Sequence, residues 1–420
     1  MHPNALIELA TDLLHNILQF AFPADRVISD FFRRHRTLGP RERHSIAETV
    51  YAVLRRRTLF QHLAQSGHGE HTRRLVLLGW QGNAGFLRAA LSEAEQGWLN
   101  QIQAMNLEGL PEKYKHNLPD WLAEALKSSV AESFWPLVHS LQEMAPLDVR
   151  VNTLKMKRED ALSALMAAQL PAQLTPFSPW GLRFEGKPAL NKQALFQSGA
   201  LEVQDEGSQL LALLTDAKRG EMVVDFCAGA GGKTLALGAA MRNTGRLYAF
   251  DTSGHRLAAL KPRLARSGLS NVYPAQIVHE RDDRIKRLTG KIDRVLVDAP
   301  CSGLGTLRRN PDMKWRQSPQ SIQELVAKQT AILHSAARLL KPGGRLVYAT
   351  CSLLGSENDE VVSAFTQAQQ QTFEPLDVQQ ALEQAHVAEA GRLVSGQFLR
   401  LWPHEHHTDG FFAAAWVRRF

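Results

Sequence analysis

The sequence predicts an α/β protein built on an open, mostly parallel sheet, with an all-helical region ahead of it. Three observations carry this expectation. From Glu202 onward, short apolar runs alternate with helical patterns, the mark of a parallel sheet with right-handed crossovers. Up to about residue 110 the apolar residues recur at helical spacing instead. All three cysteines, Cys227, Cys301 and Cys351, stand directly behind strand-like runs. In an open α/β sheet that is where ligands bind.

The helical region opens with Leu6, Leu9, Leu13, Ile17 and Phe20 on one stripe, and further helical stretches cover 41–64 and 73–87. Its basic runs, Phe32-Arg-Arg-His-Arg36 and Arg55-Arg-Arg57, read either as solvated helix faces or as RNA contacts. Leu118-Pro-Asp-Trp121 begins another helical pair. Asp148–Asn152 reads as a short strand and 157–168 as a helix, followed by turn-rich sequence around Pro171, Pro176, Pro179 and Gly181. The later strand-like runs are Met222–Phe226, Arg246–Phe250, Val272–Val278, Arg294–Val297 and Arg345–Ala349. Helices are expected over 232–241, 255–266 and 321–340, and two late runs, 397–402 and 410–417, suit an antiparallel edge. The division that follows is a helical domain over 1–115, a small α+β connecting segment over 116–200, and the main α/β domain over 201–420.

Composition narrows the class. The 420 residues suggest two or three domains, and 44% apolar residues suffice for full cores. No run approaches the length of a membrane span, and the start lacks a charged region followed by an apolar one, so a cytoplasmic protein is expected. Three cysteines are too few for a disulfide framework and fit a reducing compartment. The formal charge of +7 suits a polyanionic partner.

Val224-Asp-Phe-Cys-Ala-Gly-Ala-Gly-Gly-Lys-Thr234 reads as strand, glycine-rich turn and helix start. Cys227, Ala228, Gly229, Ala230, Gly231, Gly232 and Lys233 therefore form a candidate cofactor loop, where backbone approaches a ligand closely. A phosphate-binding P-loop fails, because the position that needs its first glycine holds Cys227. The dinucleotide fingerprint fails as well, since Thr234 stands where its last glycine belongs. S-adenosylmethionine remains. The next strand ends at Asp251, placed to accept ribose hydroxyls as in nucleoside-binding α/β folds, or else to cap the following helix.

Val297-Asp-Ala-Pro-Cys-Ser-Gly-Leu-Gly305 and Tyr348-Ala-Thr-Cys-Ser352 are the most specific signals. A lone buried cysteine is usually a small hydrophobe. Two at strand ends, beside Asp298 and a nucleoside-type loop, point to chemistry. From Leu201 to the C-terminus these motifs resemble the Sun family of RNA cytosine-C5 methyltransferases, with its paired Pro-Cys and Thr-Cys motifs. The run Thr306-Leu-Arg-Arg-Asn-Pro-Asp-Met-Lys-Trp315 is similar to the family's bacterial RsmB-like 16S rRNA branch. The N-terminal helices resemble a shortened form of that branch's NusB-like RNA-binding domain. Two departures stand out: Gly229-Ala230 replaces the family's Ala-Pro, and the acid expected after the third strand falls somewhere in Val278-His-Glu-Arg-Asp282, with Asp282 as its candidate.

The resemblance implies a Rossmann-like S-adenosylmethionine methyltransferase domain that methylates C5 of a cytosine in ribosomal RNA, 16S in this branch. A tRNA or 23S rRNA substrate is the alternative within the enzyme class, and a non-catalytic RNA-binding assembly factor the alternative outside it. A nucleotide hydrolase is disfavoured by the missing P-loop glycine. In the RNA family the Thr-Cys cysteine attacks C6, so Cys351 is the expected nucleophile and Cys301 the residue that assists product release. DNA cytosine methyltransferases use the Pro-Cys cysteine instead. An ordinary thiol, with pKa about 8.5, is only a few per cent ionised at neutral pH, so the cleft must favour the thiolate. Asp298 is placed to hold the cytosine N3–H and amino group. Arg308, Arg309, Lys314 and Trp315 are expected to overhang the cleft and contact RNA, the cations at phosphates and the indole on a base. Arg281, Arg284, Lys286 and Arg287 form a second basic run. His404-Glu-His-His407 has no fixed ligand spacing and reads as a surface loop rather than a metal site. Gln204, Asp205 and Ser208 resemble the family segment beside the cofactor. No metal, no membrane and a monomer are expected.

Overall fold

The computed structural model describes residues 2–420. The chain forms two compact units, Met1–Glu143 with Thr306–Pro319, and Met144–Gly305 with Gln320–Phe420.

The first unit is helical. Its opening helix, Pro3–Ile17, starts on a proline, which suits a first turn whose N–H groups lack partners. Leu6, Leu13 and Ile17 are buried as the stripe requires, whereas Phe20 lies past the helix end in a left-handed conformation. The stretch over 41–64 is two helices, Pro40–Arg55 and Arg57–Leu63, broken at Arg56, and the stretch over 73–87 breaks at Trp80. Asp120–Val130 and Phe134–Gln142 form the expected pair. The helices therefore continue past residue 115, and the first strand appears only at Leu147.

The second unit holds two sheets. Strands β1 (Leu147–Val151), β2 (Ala172–Leu174), β3 (Gly181–Phe184) and β4 (Leu201–Val203) make a small antiparallel sheet in the order β2-β3-β1-β4. Helix Arg158–Ala167 closes its core through Ala161 and Leu165. The turn-rich stretch thus contains two strands, too short and too closely bounded by prolines to show alternation.

The large sheet has nine strands: β5 (Met222–Asp225), β6 (Arg246–Asp251), β7 (Val272–Gln276), β8 (Ile292–Asp298), β9 (Leu340–Thr350), β10 (Phe373–Pro375), β11 (Val394–Ser395), β12 (Phe398–Leu401) and β13 (Phe411–Arg418). The order is β11-β12-β13-β9-β8-β5-β6-β7, with β10 on β13, and β5 to β9 run parallel. The late runs do form an antiparallel edge, with β13 on β9 (Phe412 opposite Thr350) and β12 on β13. Alternate residues feed the two faces: Val223, Leu296 and Val347 enter one core, Val224, Val295 and Tyr348 the other. Strands buried on both sides explain the continuous apolar runs. Strand order reverses between β5 and β8, so the crevice at their carboxyl ends is the topological switch point.

Candidate active site

The cofactor turn leaves β5 at Asp225 and enters helix Gly232–Ala240. Gly231 has φ +83°, and a Cβ there would lie 2.1 Å from Leu260 Cδ1, so only glycine passes. Asp251 closes the turn from β6: its Oδ2 accepts the Gly229 N–H at 2.8 Å and its Oδ1 the Ser253 N–H at 2.7 Å. The cap of helix Gly254–Ser267 is Ser253, whose Oγ accepts the Arg256 N–H. Asp251 is thus tied to the glycine turn rather than used as that cap. Each of its oxygens keeps a second acceptor position for a ribose hydroxyl.

Asp225 is a site residue that sequence reasoning passed over. It is fully buried, its Oδ2 accepts the Thr234 hydroxyl at 2.6 Å, and its Oδ1 has no partner. Burial pushes its carboxyl up to about 7, against the pull of the Thr234 bond. An orphaned acceptor beside a glycine turn suits the positively charged end of S-adenosylmethionine, as Asp251 suits its ribose. The residues present fit that cofactor: the turn 227–232 would hold the methionyl part, Asp225 its ammonium and Asp251 its ribose. Lys233 points elsewhere. Its ammonium bonds Asp298 Oδ2 at 2.8 Å, and although burial pulls its pKa down, the Asp298 charge and hydrogen bond more than offset that and raise it.

Asp282, the candidate for the adenine side, caps the short helix Asp283–Lys286. Its oxygens accept N–H groups from Arg284 at 2.9 Å and Val278 at 3.0 Å, bonds that lower its pKa. It lines a cavity of about 500 Å³ with Val278, His279 and the basic run Arg281, Arg284, Lys286 and Arg287. Val278 is 79% exposed there.

The two remaining cysteines meet. Cys301 follows β8 and Cys351 follows β9, and their sulfurs lie 3.4 Å apart. The Cys351 N–H also points at Cys301 Sγ, at 3.3 Å. All three cysteines are free thiols. The Cys301 thiol is pushed well above the ordinary range by its hydrogen bond with Cys351 and by burial. Cys227 is pushed up too, by burial and then by the charges of Asp298, Asp225 and Asp251. Gly305 lets the Cys301 loop pass beneath β13's approach: a Cβ would lie 2.1 Å from Gly410 O, and the Gly305 N–H donates to Cys351 O at 2.8 Å. A further residue that sequence reasoning missed is Glu357, fully buried and hydrogen-bonded to Ser302 and Ser352. Lying six residues past Cys351, it has no local signal.

The expected RNA-contact run sits differently. Lys314 and Arg308 are buried, and the segment they belong to is part of the helical unit. Lys314 Nζ donates to Arg55 O at 2.9 Å, Trp315 Nε1 to Leu54 O at 2.9 Å, and Arg55 Nη2 to Arg308 O at 3.1 Å. The Arg57 guanidinium lies 5.0 Å from the Trp315 ring. These side chains fasten one segment of the unit to another, so Lys314 and Trp315 have their polar groups turned into the protein. Arg309 is partly exposed. The histidine cluster is only partly at the surface: Glu405 and His407 are exposed and His406 is buried. Residues 403–406 form a short helix, and buried His406 bonds Trp402 N and Arg392 O.

Comparison with known proteins gives this geometry its context. Residues 212–417 match the model of the 16S rRNA methyltransferase RsmB/F family, and residues 118–191 match the ferredoxin-like domain found in RsmF/B-like methyltransferases. A probable ribosomal RNA small subunit methyltransferase B of Synechocystis is 32% identical, over 97% of this chain and 98% of its own. One from Bacillus subtilis is 30% identical over 96% of this chain and 89% of its own. The crystal structure of PH0851 superposes with a TM-score of 0.78 at 25% identity, covering 99% of this chain and 98% of its own. A methyltransferase homologue from Pyrococcus horikoshii gives a TM-score of 0.62 at 27% identity, over 75% of this chain and 100% of its own. The Rossmann-like domain takes S-adenosylmethionine as its methyl donor. With thiols, glycine turn and strand-end acids in one crevice, the chain belongs to the RsmB/F family of ribosomal RNA methyltransferases.

Proposed function

We propose that the chain methylates C5 of a cytosine in 16S rRNA, with Cys351 as the nucleophile and Cys301 as the thiol that assists release. Cytosine C5 is too electron-poor to attack a methyl sulfonium unaided. Addition of the Cys351 thiolate forms an S–C6 bond and leaves C5 enamine-like. Bound S-adenosylmethionine supplies the electrophilic methyl group. Once C5 carries the methyl, water takes the C5 proton, the C–H electron pair re-forms the C5–C6 double bond, and the S–C6 bond breaks with its pair returning to Cys351 as thiolate.

The observation that carries this reading is the pair of thiols 3.4 Å apart. RNA binding alone requires neither. Cys301, held well above the ordinary thiol range by its bond to Cys351 and by burial, stays protonated at neutral pH. A protonated thiol beside the nucleophile suits a proton donor or relay. Cys227 stays protonated as well and lines the cofactor turn. Asp298, anchored by Lys233 through Oδ2, keeps Oδ1 for the N3–H and amino edge of the base. An unpaired cytosine avoids most of the few-kcal/mol cost of base flipping, so an accessible loop is the expected target.

Bisulfite sequencing of rRNA and tRNA from a strain lacking the gene tests the reading. Loss of 5-methylcytosine at one 16S position is expected. An unchanged 16S map rejects it, and a change confined to tRNA or 23S rRNA moves the substrate there.

A further inference from the structure

Behind the two thiols lies a buried polar cluster that the proposed chemistry does not use. Glu357 sits in the 3-10 turn Gly355–Glu357 and is 0% exposed. Its Oε1 accepts the Ser302 N–H at 2.8 Å and the Gln329 side-chain amide at 2.9 Å. Its Oε2 accepts the hydroxyls of Ser302 and Ser352. Its main-chain oxygen accepts the Tyr348 hydroxyl at 2.7 Å. Ser302 is the residue after Cys301, and Ser352 the residue after Cys351. Gln329 also donates to Pro300 O at 3.0 Å, on the other side of Cys301.

From this we infer that Glu357 is a positioning residue: one carboxylate, bonded to the neighbours of both cysteines, holds the Cys301 and Cys351 loops in register. The strands alone do not do this. The β8–β9 ladder ends at Asp298 opposite Ala349, short of either cysteine. Beyond it both chains turn, and the Gly305 N–H bond to Cys351 O, the Cys351 N–H contact with Cys301 Sγ and the Ser302–Ser352 hydroxyl contact join them alongside the carboxylate. All four acceptor positions of the carboxylate meet donors, so it acts as a rigid bracket. The inference rests on the two-thiol reading of the cleft, but its test does not depend on the base being cytosine.

Two substitutions separate bracket from charge. In Glu357→Gln the amide oxygen replaces Oε1, and the amide N–H₂ faces two hydroxyls that rotate to accept, so the bonds persist without the charge. Glu357→Ala removes both. Diamide (an azodicarboxamide) oxidises paired thiols to a disulfide, its N=N bond taking up the two hydrogens, and the cross-link is read by intact mass without RNA. Glu357→Ala is expected to slow Cys301–Cys351 cross-linking and to lower kcat by about tenfold or more, with KM for S-adenosylmethionine unchanged, since a misplacement of about 1 Å is that costly. Glu357→Gln is expected within about threefold of the parent on both measures. Should Glu357→Ala not fold, the double variant Ser302→Ala/Ser352→Ala, which removes two of the four donors, is expected to move both readouts the same way by a smaller factor. Parent-like cross-linking and kcat in a folded Glu357→Ala protein overturn the inference. So does a Glu357→Gln protein as impaired as Glu357→Ala, which would make the charge decisive. If methyl transfer fails to yield 5-methylcytosine while cross-linking behaves as expected, the cytosine reading falls and the bracket stands.

Discussion

Cys301 and Cys351 place their sulfurs 3.4 Å apart, although fifty residues separate them in the chain and each leaves a different strand. At that distance two thiolates would repel, whereas a protonated thiol can donate to a single one, so the pair holds at most one thiolate at a time. On the proposed reading the pair divides into a reacting sulfur and a protonated companion.

Replacing one cysteine at a time reads that division. Cys301→Ala keeps the nucleophile and removes the thiol that assists release, so a covalent RNA–protein adduct should accumulate and survive denaturing electrophoresis. Cys351→Ala should give no adduct and no methyl transfer. An adduct in Cys351→Ala and none in Cys301→Ala reverses the roles.

The Lys233–Asp298 pair, 2.8 Å apart with the ammonium side 10% exposed, links cofactor turn to catalytic strand. Asp298→Ala leaves the Lys233 charge buried without its partner. A loss of about 3 kcal/mol is expected, the lower end for a broken buried pair because Asp298 is partly open to solvent. Methyl transfer should fall by at least about a hundredfold, as for loss of a charge-stabilising group. Urea unfolding and single-turnover kinetics check the two parts, and a stable, active Asp298→Ala protein contradicts both.

Much of this was legible in the residues, and the rest was hidden for physical reasons. β5, β8 and β9 announce themselves because strands buried on both faces read as unbroken apolar runs, so the residue after each run falls in the crevice. Hence Cys227, Cys301, Cys351, Asp251 and Asp298 were all readable. β2 and β3, three and four residues long, show no periodicity to read. Glu357 and Asp225 became site residues only through partners brought by folding: Ser302 and Gln329 for the one, Thr234 for the other. Lys314 failed in the opposite sense. A lysine in a short polar run with Arg308, Arg309 and Asp312 reads as solvent-facing, and nothing local reveals that Arg55 O lies waiting for it.

Asp225 makes stability depend on pH in a definite direction. Its carboxyl rises from 3.8 to about 7, chiefly through burial. Between those values the folded chain keeps a proton that the unfolded chain releases. Its contribution to stability is therefore complete below pH 3.8, falls as pH rises, and is gone above about 7. Asp225→Asn should remove that slope, gaining on the parent by at most about 3 kcal/mol between pH 5 and pH 8. At pH 8, where the carboxyl is ionised, binding of S-adenosylmethionine should weaken by about tenfold, since a charged hydrogen-bond acceptor is lost. Denaturation curves at the two pH values and calorimetric titration measure these, and an unchanged slope would remove Asp225 from the account.

Lys314 gives the matching test for the segment once expected at the RNA. The residue is 3% exposed, its ammonium donates to Arg55 O, and its pKa is pulled to about 7 by burial and by the Arg55 charge. Between about 7 and 10.5 the unfolded chain holds the extra proton, so the folded state gains relative stability as pH rises through that window. Lys314→Met loses one hydrogen bond, about 1 kcal/mol, but removes a cation that burial disfavours. The variant should be more stable than the parent at pH 6, and the gap should narrow as pH rises from about 7 towards 10.5. A lysine at a phosphate contributes about one unit to the slope of log affinity against log salt. An ammonium bonded to a main-chain carbonyl contributes none. RNA binding by Lys314→Met should therefore keep both the parent's affinity and its salt dependence. A slope smaller by about one unit would return Lys314 to the RNA interface.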